Sequence, residues 1–494
     1  MESDTIIRTI NQIEDKFPVE KWLVEGFYIW PYIRFKLGSK MPGVYTTDSS
    51  KIKKIKERYL KNVFKYLLNN IKYFITERKK EEELDFIFIE NGTNRAEIQN
   101  SYYFTRTDPI RDLLEEKGYS CKTEILGYNI HPPLYKKGVF FQFSLDYLAL
   151  SSKIRRFFGI DTIKQKSLPN YNSFLKYLVE IGVGDGGFKL KDLLKQISFM
   201  QRYRIYFEKK LKKQSPKAVF ILCYYSTYGF ALISACKNLN IPVIDIQHGI
   251  QSDYHFAYGK FKKILARRDS LLPDIFYVWG KKELKTIDSW KSKEMSVFIG
   301  GNNYLDIWKD DHSSLSESFT EKLKNTYSLN KYKKVILFTV HPLEGYDKEI
   351  VEAIKESPKD WFWFVRLHPT RTAMLGYIKE RIGDVKCGIA IEKVHTLPLY
   401  ALLKVSDVHI TERSTTIMEA SVLGIKSIMT LELSKDLFRR EVQMGMAQYV
   451  NAVKKILYYI ESSSRVRMEN KDEKKCDIMD LIKIIEQKQY APNN

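Results

Sequence analysis

The sequence predicts an α/β fold of two Rossmann-like domains facing a cleft, preceded by a helical, aromatic-rich N-terminal extension. Three observations carry that expectation. Short apolar runs ending at a glycine or a polar residue alternate with helical stretches. The alternation occurs in two series, 84–301 and 331–463. A polar stretch, 302–330, separates them. Strands alternating with helices imply parallel sheets with right-handed crossovers. In such sheets ligands bind outside the carboxyl ends of the strands.

Composition narrows the classes. The chain has 494 residues, 44% of them hydrophobic, which excludes a disordered chain and allows two or three domains. Lys and Arg number 81 against 60 Asp and Glu, a formal charge of +21. The five cysteines (121, 223, 236, 387 and 476) form no C-x-x-C pair, so neither a disulfide scaffold nor a structural zinc site is expected. A reducing, cytoplasmic setting follows, and the opening MESDTIIRTINQIEDKF lacks the apolar segment of a signal peptide. Ala218 to Cys236 carries no charge, but Tyr224-Tyr225-Ser226-Thr227-Tyr228-Gly229 interrupts it. A buried strand, a turn and a helix are expected there rather than a membrane span.

In chain order, residues 1–83 form the extension. Trp22, Phe27, Trp30 and Tyr32 make its first part a cap docked on a larger body. Within it, 51–80 holds eleven basic and two acidic residues. Ile52, Ile55, Tyr59, Val63, Leu67, Ile71 and Phe74 place one apolar stripe on a helix. Two readings stand: a helix lying on an anionic membrane surface at the inner face of the plasma membrane, or one packed on its own domain with a solvated basic face. In the first domain, 84–301, LDFIFIE, CKTEIL, AVFILCYY, IPVIDIQ, DIFYVWG and MSVFIGG read as strands. DPIRDLLEEKG and TYGFALISACKNLN read as helices. Residues 128–215 mix aromatic and basic helical pieces, and GVGDGG (182–187) is a loop without the βαβ context of a nucleotide fingerprint. In the second domain, 331–463, KKVILFTVHP, WFWFVRLHP, CGIAIE, VHITE and KSIMTL read as strands, with helical stretches between them and a last helix over 450–463. Residues 464–494 are a polar tail containing a short helix.

The chemistry-bearing residues fall just after apolar strands. Gln247, His248 and Gly249 follow IPVIDI; His341 closes VILFTVHP; Arg366 and His368 close WFWFVRLHP. Glu412 leads into Ser414, Thr415, Thr416 and Glu419. Hydroxyls at a helix start suit a phosphate, although Ser or Thr followed by an acid is also an ordinary helix cap. Arg366 and His368, two apart on a strand, share a side. His248 is a candidate general base, with Glu90 at the end of the first strand as its competitor; His255 can orient a substrate. No Asp-x-Asp, Walker loop or H-E-x-x-H is present, so neither a metal nor another cofactor is expected.

Taken together, IPVIDIQHGI (241–250), DIFYVWG (274–280), VFIGGNNYLD (297–306), FVRLHP (364–369) and VSDVHITERSTTIMEASVLGIKSI (405–428) resemble the GT-B glycosyltransferases of bacterial surface-polysaccharide assembly. Capsule-synthesis transferases and CDP-glycerol glycerophosphotransferases are the most similar. The resemblance implies a GT-B fold with a nucleotide-activated sugar donor and a glycan or lipid-linked acceptor. It places His368, Ser414 and Thr415 at the donor phosphates, Glu419 near the ribose, and His248 at the base or acceptor site. The acidic partner motif of CMP-sialic-acid transferases is missing. A glycosyl or glycerophosphoryl transferase is therefore expected. The rivals are a nucleotide-sugar 2-epimerase of the same architecture and a non-catalytic basic protein binding membrane or nucleic acid. No nucleic-acid motif is recognisable, and nucleic acid is not expected as a partner.

Overall fold

A computed structural model describes residues 3–41, 83–92, 95–98, 101–126, 133–136, 138–140, 167–264, 270–309, 314–340, 348–368, 374–466 and 475–489, with single residues between 145 and 163. The basic stretch 51–80 and His341 lie outside the described residues. Among the described residues, no helix is long and apolar enough to cross a membrane.

The chain begins with helix Ser3–Lys16, a hairpin of β1 (Leu23–Val24) and β2 (Phe27–Tyr28), and helix Trp30–Lys40. Ile6, Ile10 and Ile13 recur at helical spacing and are buried with Trp22 and Trp30 in the core of the first domain. Glu14 and Arg34 form a fully buried ion pair. Trp30 Nε1 donates to one Glu14 oxygen at 2.8 Å and the Lys262 backbone N–H to the other at 2.7 Å, while Arg34 Nε donates to Phe256 O at 2.9 Å. A buried pair holds only where such bonds satisfy it. Here they fasten the 256–262 loop, which follows the His248 turn.

In the first domain β3 (Phe86–Glu90) leads into a separate antiparallel hairpin, β4 (Arg95–Ile98) with β5 (Ser101–Phe104). Then come β6 (Cys121–Ile125), β7 (Gly138–Phe140), β8 (Ala218–Leu222), β9 (Val243–Ile246), β10 (Ile275–Val278) and β11 (Ser296–Ile299). The seven-stranded sheet has the order β11-β10-β9-β8-β3-β6-β7, all parallel. The uncharged stretch is the fully buried β8, a turn, and helix Thr227–Asn238, whose N-terminal N–H of Gly229 is accepted by Ser226 Oγ at 3.0 Å.

The second domain holds β12 (Lys334–Val340), β13 (Trp361–Leu367), β14 (Gly388–Ala390), β15 (Val408–Thr411), β16 (Lys426–Met429) and β17 (Ala447–Tyr449). Their order is β14-β13-β12-β15-β16-β17, again all parallel. Both sheets therefore start centrally, run to one edge, and jump back. The switch points, β3/β8 and β12/β15, are where ligands bind in this topology.

Among the described residues, two long connections join the domains, and the β4–β5 hairpin also buries Ala96, Ile98 and Tyr103 in the second domain's core. The first crossing follows β11 through Gly301 (φ +76°) into helix Asn303–Lys309 and helix Ser314–Thr326; Leu305, Trp308 and Leu323 are buried in the second domain's core. The second returns to helix Ile478–Gln489, whose Ile478, Leu481, Ile482 and Ile485 are buried against Phe86, Phe220 and Ile244 of the first sheet. Part of what reads as a polar tail thus belongs to a core remote in sequence. The crossings lie side by side: Cys476 N–H donates to Ile299 O at 2.9 Å, and Lys475 pairs with Asp306.

Candidate functional site

The carboxyl ends of the two sheets open onto one cavity of about 420 Å³ between the domains. Arg95, Thr105, Arg106, His248 and Gly249 line it from the first domain. Arg366, His368, Tyr400, Ser414, Thr415, Thr416 and Glu419 line it from the second. A methyl group built at Gly249 would sit 3.7 Å from Thr415 Cγ2, so the two motif-bearing turns nearly touch across the gap.

Three arginines dominate the electrostatics. Arg366, at the end of β13, donates from Nη1 to Val394 O at 3.2 Å and His395 O at 2.8 Å. Burial pulls its pKa down to about 10, so it stays cationic at neutral pH. Arg106, in the turn after β5, donates to Glu419 Oε1 at 2.7 Å and to the Tyr400 hydroxyl at 3.3 Å. Tyr400 donates to the same carboxylate oxygen at 2.6 Å and accepts from Asn302 Nδ2 at 3.1 Å. This lattice joins the two domains through a buried ion pair. Arg95 completes the set, its guanidinium 5.2 Å from the Tyr102 ring centroid. A cleft with three guanidinium groups, the Ser414, Thr415 and Thr416 hydroxyls among others, and one already paired carboxylate is built for an anion.

His248 sits on the first-domain wall. Its Nε2 lies 2.8 Å from Cys223 Sγ and 3.2 Å from the Tyr225 hydroxyl. Burial first, and the Arg106 charge second, push its pKa down to about 4, so the ring is neutral at pH 7. Cys223 adopts a left-handed backbone (φ 57°), and burial lifts its thiol to about 12. The thiol therefore stays protonated and serves as a partner for the imidazole, not as a nucleophile.

Of the residues singled out by sequence, His248, Arg366, His368, Ser414, Thr415, Thr416 and Glu419 come together in this cleft. The helix after Ser414 runs only Thr416–Val422, seven residues, so the turn offers hydroxyls more than a macrodipole. Ser414 Oγ lies 2.9 Å from Thr416 Oγ1. Four residues lie outside the lining. Gln247 is buried and staples the turn, accepting from Trp279 N–H at 2.7 Å and donating to Gly249 O at 2.9 Å. His255 accepts from Ala257 N–H at 3.1 Å, and burial lowers its pKa to about 3. Glu90 is fully buried beneath the cleft, accepting from Gly92 N–H at 3.2 Å, and burial raises it to about 8. Burial also raises Glu412 to about 7. Arg106, Tyr400 and Cys223 carried no sequence signal, and Arg95 was visible only as one letter of a polar loop.

Asp245, at the heart of β9, supports the His248 wall. It accepts from Tyr258 OH at 2.8 Å and Tyr224 N–H at 3.3 Å, and burial lifts its pKa to about 8. Its folded pKa exceeds the unfolded value of about 3.9, so its contribution to stability is full below that value. That contribution is lost as the pH rises towards 8. Asp245→Asn, which cannot ionise, is expected to gain on the wild type by on the order of 1 kcal/mol per pH unit across pH 4–8. Urea midpoints at three pH values check this; a difference independent of pH contradicts it.

Residues 194–434, a little under half of the chain, match the family model described as UDP-N-acetylglucosamine 2-epimerase (Epimerase_2). No curated protein matches. Among solved structures, the chain is similar to the UDP-GlcNAc 2-epimerase of Methanocaldococcus jannaschii in complex with UDP-GlcNAc and UDP (16% identity, 81% of this chain and 99% of that one, TM-score 0.47). It is similar to the UDP-GlcNAc 2-epimerase of Neisseria meningitidis bound to UDP-GlcNAc (13% identity, 83% and 95%, TM-score 0.46). The wall teichoic acid polymerase TagF is also similar (12% identity, 90% and 91%, TM-score 0.42). The fold is GT-B-like, two Rossmann-like domains with a cleft between them, and the family match supports an enzyme. The same match corrects the expectation of a glycosyl or glycerophosphoryl transferase: the matched family is that of the rival, a 2-epimerase. The transferase reading followed from motifs such as QHG and RLHP, which mark cleft-facing strand ends and anion binding without specifying what happens to the bound anion.

Proposed function

We propose that this chain is a nucleotide-sugar 2-epimerase acting on a UDP-linked 2-acetamido sugar. The family match carries the reading, because residues 194–434 include His248, Arg366, His368, the Ser414–Thr416 hydroxyls and Glu419, and so contribute to both walls of the cleft. Arg366, with Arg95 and Arg106 nearby, supplies fixed positive charge for a diphosphate in a water-poor site. Inverting C2 requires a proton to leave one face of the carbon and another to arrive on the opposite face. His248, neutral at pH 7, is one group able to carry it. As the C2 proton leaves, the C1–O bond breaks and its electron pair departs with the nucleoside diphosphate, whose new charge faces the arginines; re-forming C1–O while a proton is delivered to the opposite face of C2 gives the epimer, so neither a sugar acceptor nor a metal is required.

The test is incubation of the full chain with UDP-GlcNAc in D₂O and EDTA, without acceptor, followed by NMR. The expected result is the C2 epimer with deuterium at C2. Unchanged UDP-GlcNAc, or release of free UDP with no epimer, overturns the proposal.

A further inference from the structure

A second groove between the domains lies apart from the cleft just described, sharing none of its lining residues. Its volume is about 610 Å³. One wall is helix Lys281–Asp288 with the Ser252–Tyr254 segment; the other is helix Ser434–Leu437 and helix Arg439–Gln443. Five cations line it (Lys281, Lys282, Lys285, Arg439 and Arg440) against two carboxylates, Asp253 and Asp436. Arg439 pairs with Asp436 at 3.1 Å, and Lys282 and Lys285 have no ion-pair partner among the described residues. The epimerisation reading makes no use of this charge.

A second observation points to a ligand. Ser252 lines the groove and is 6% exposed, yet its Oγ has no hydrogen-bond partner among the described residues. Beside it the Gln251 amide, 1% exposed, is unpartnered at both Oε1 and Nε2 among the described residues. Native interiors rarely leave such groups unmatched, because a buried donor or acceptor without a partner keeps its full desolvation penalty. The Ser252 hydroxyl is closed off from solvent, so an oxygen-rich anion that draws the Ser252–Tyr254 segment inward satisfies it together with the surrounding cations.

We propose that this groove binds a small, soluble, multiply phosphorylated anion that bridges the two domains and thereby biases their relative arrangement. The Ser252–Tyr254 segment begins three residues after Gly249, so an occupant touches the chain that carries the His248 turn.

The test is calorimetric titration of the full chain with inorganic tripolyphosphate at physiological ionic strength. Lys282→Glu combined with Lys285→Glu is expected to weaken binding at least tenfold. Ser252→Ala, which changes no charge, is expected to weaken it severalfold while raising the melting temperature of the free protein. Arg366→Gln, in the other cleft, is expected to leave it within twofold. Unaltered affinity in the lysine variant, loss in Arg366→Gln, or no binding to the wild type overturns the proposal. So does binding to phosphatidylglycerol vesicles that the lysine variant abolishes while tripolyphosphate gives no heat, which would place the phosphate on a membrane. None of these readouts depends on catalysis, so this proposal and the epimerase reading fail separately.

Discussion

Arg106→Met is expected to destabilise the protein by about 3–5 kcal/mol, because it leaves a carboxylate charged and buried without its cation. Glu419 is 2% exposed, and it also accepts from the Tyr400 hydroxyl, which cannot neutralise it. Removing both charges is milder than removing one. The double variant Arg106→Met/Glu419→Gln is therefore expected to recover at least about 1 kcal/mol relative to the sum of the single changes. Because the pair spans the two domains, the loss is expected to loosen their contact as well as weaken either core. Denaturant unfolding of the four proteins measures the coupling; additive single effects below 1 kcal/mol would remove the pair from any account of how the domains hold together.

Arg366→Met carries the largest expected effect on activity. Turnover of the nucleotide sugar should fall on the order of 10²–10³-fold, the usual consequence of deleting a preorganised charged donor from a water-poor site. Two backbone carbonyls orient the guanidinium without cancelling its charge. Arg366→Lys is expected to recover only part of the loss, since an ammonium cannot hold both carbonyls and a phosphate in one plane. Circular dichroism should show both variants folded. A Met variant within threefold of wild-type turnover would show that the diphosphate is held elsewhere.

Much of the architecture was legible because each sheet strand is a short, doubly buried apolar run, and parallel strands need intervening helices. The strand-end polar residues were legible for the same reason: a polar pair closing an apolar run sits at the carboxyl end of its sheet, and seven of the predicted residues meet in one cleft. What stayed hidden depends on contacts remote in sequence. Arg106 follows a hairpin that no periodicity announces, and its meaning comes from Glu419, 313 residues away. Helix Ile478–Gln489 has an apolar stripe, but its partner sheet starts with residue 86, so composition alone reads it as a tail. Glu90 is a competitor of His248 because both end strands; its carboxyl is fully buried and lies outside the cleft lining. The reaction itself was the least legible, since binding an anionic leaving group and inverting a neighbouring carbon call for similar residue types.

The paired crossings limit how the lobes can move. A single tether would let one lobe tumble and twist; two tethers bonded at Ile299 and Cys476 define an axle, leaving a swing about that line as the easy motion. Both grooves lie between the same two lobes, so any swing that reshapes one must alter the other. An occupant that shifted this swing at one groove would therefore be felt at the other, without a relay of side chains between them.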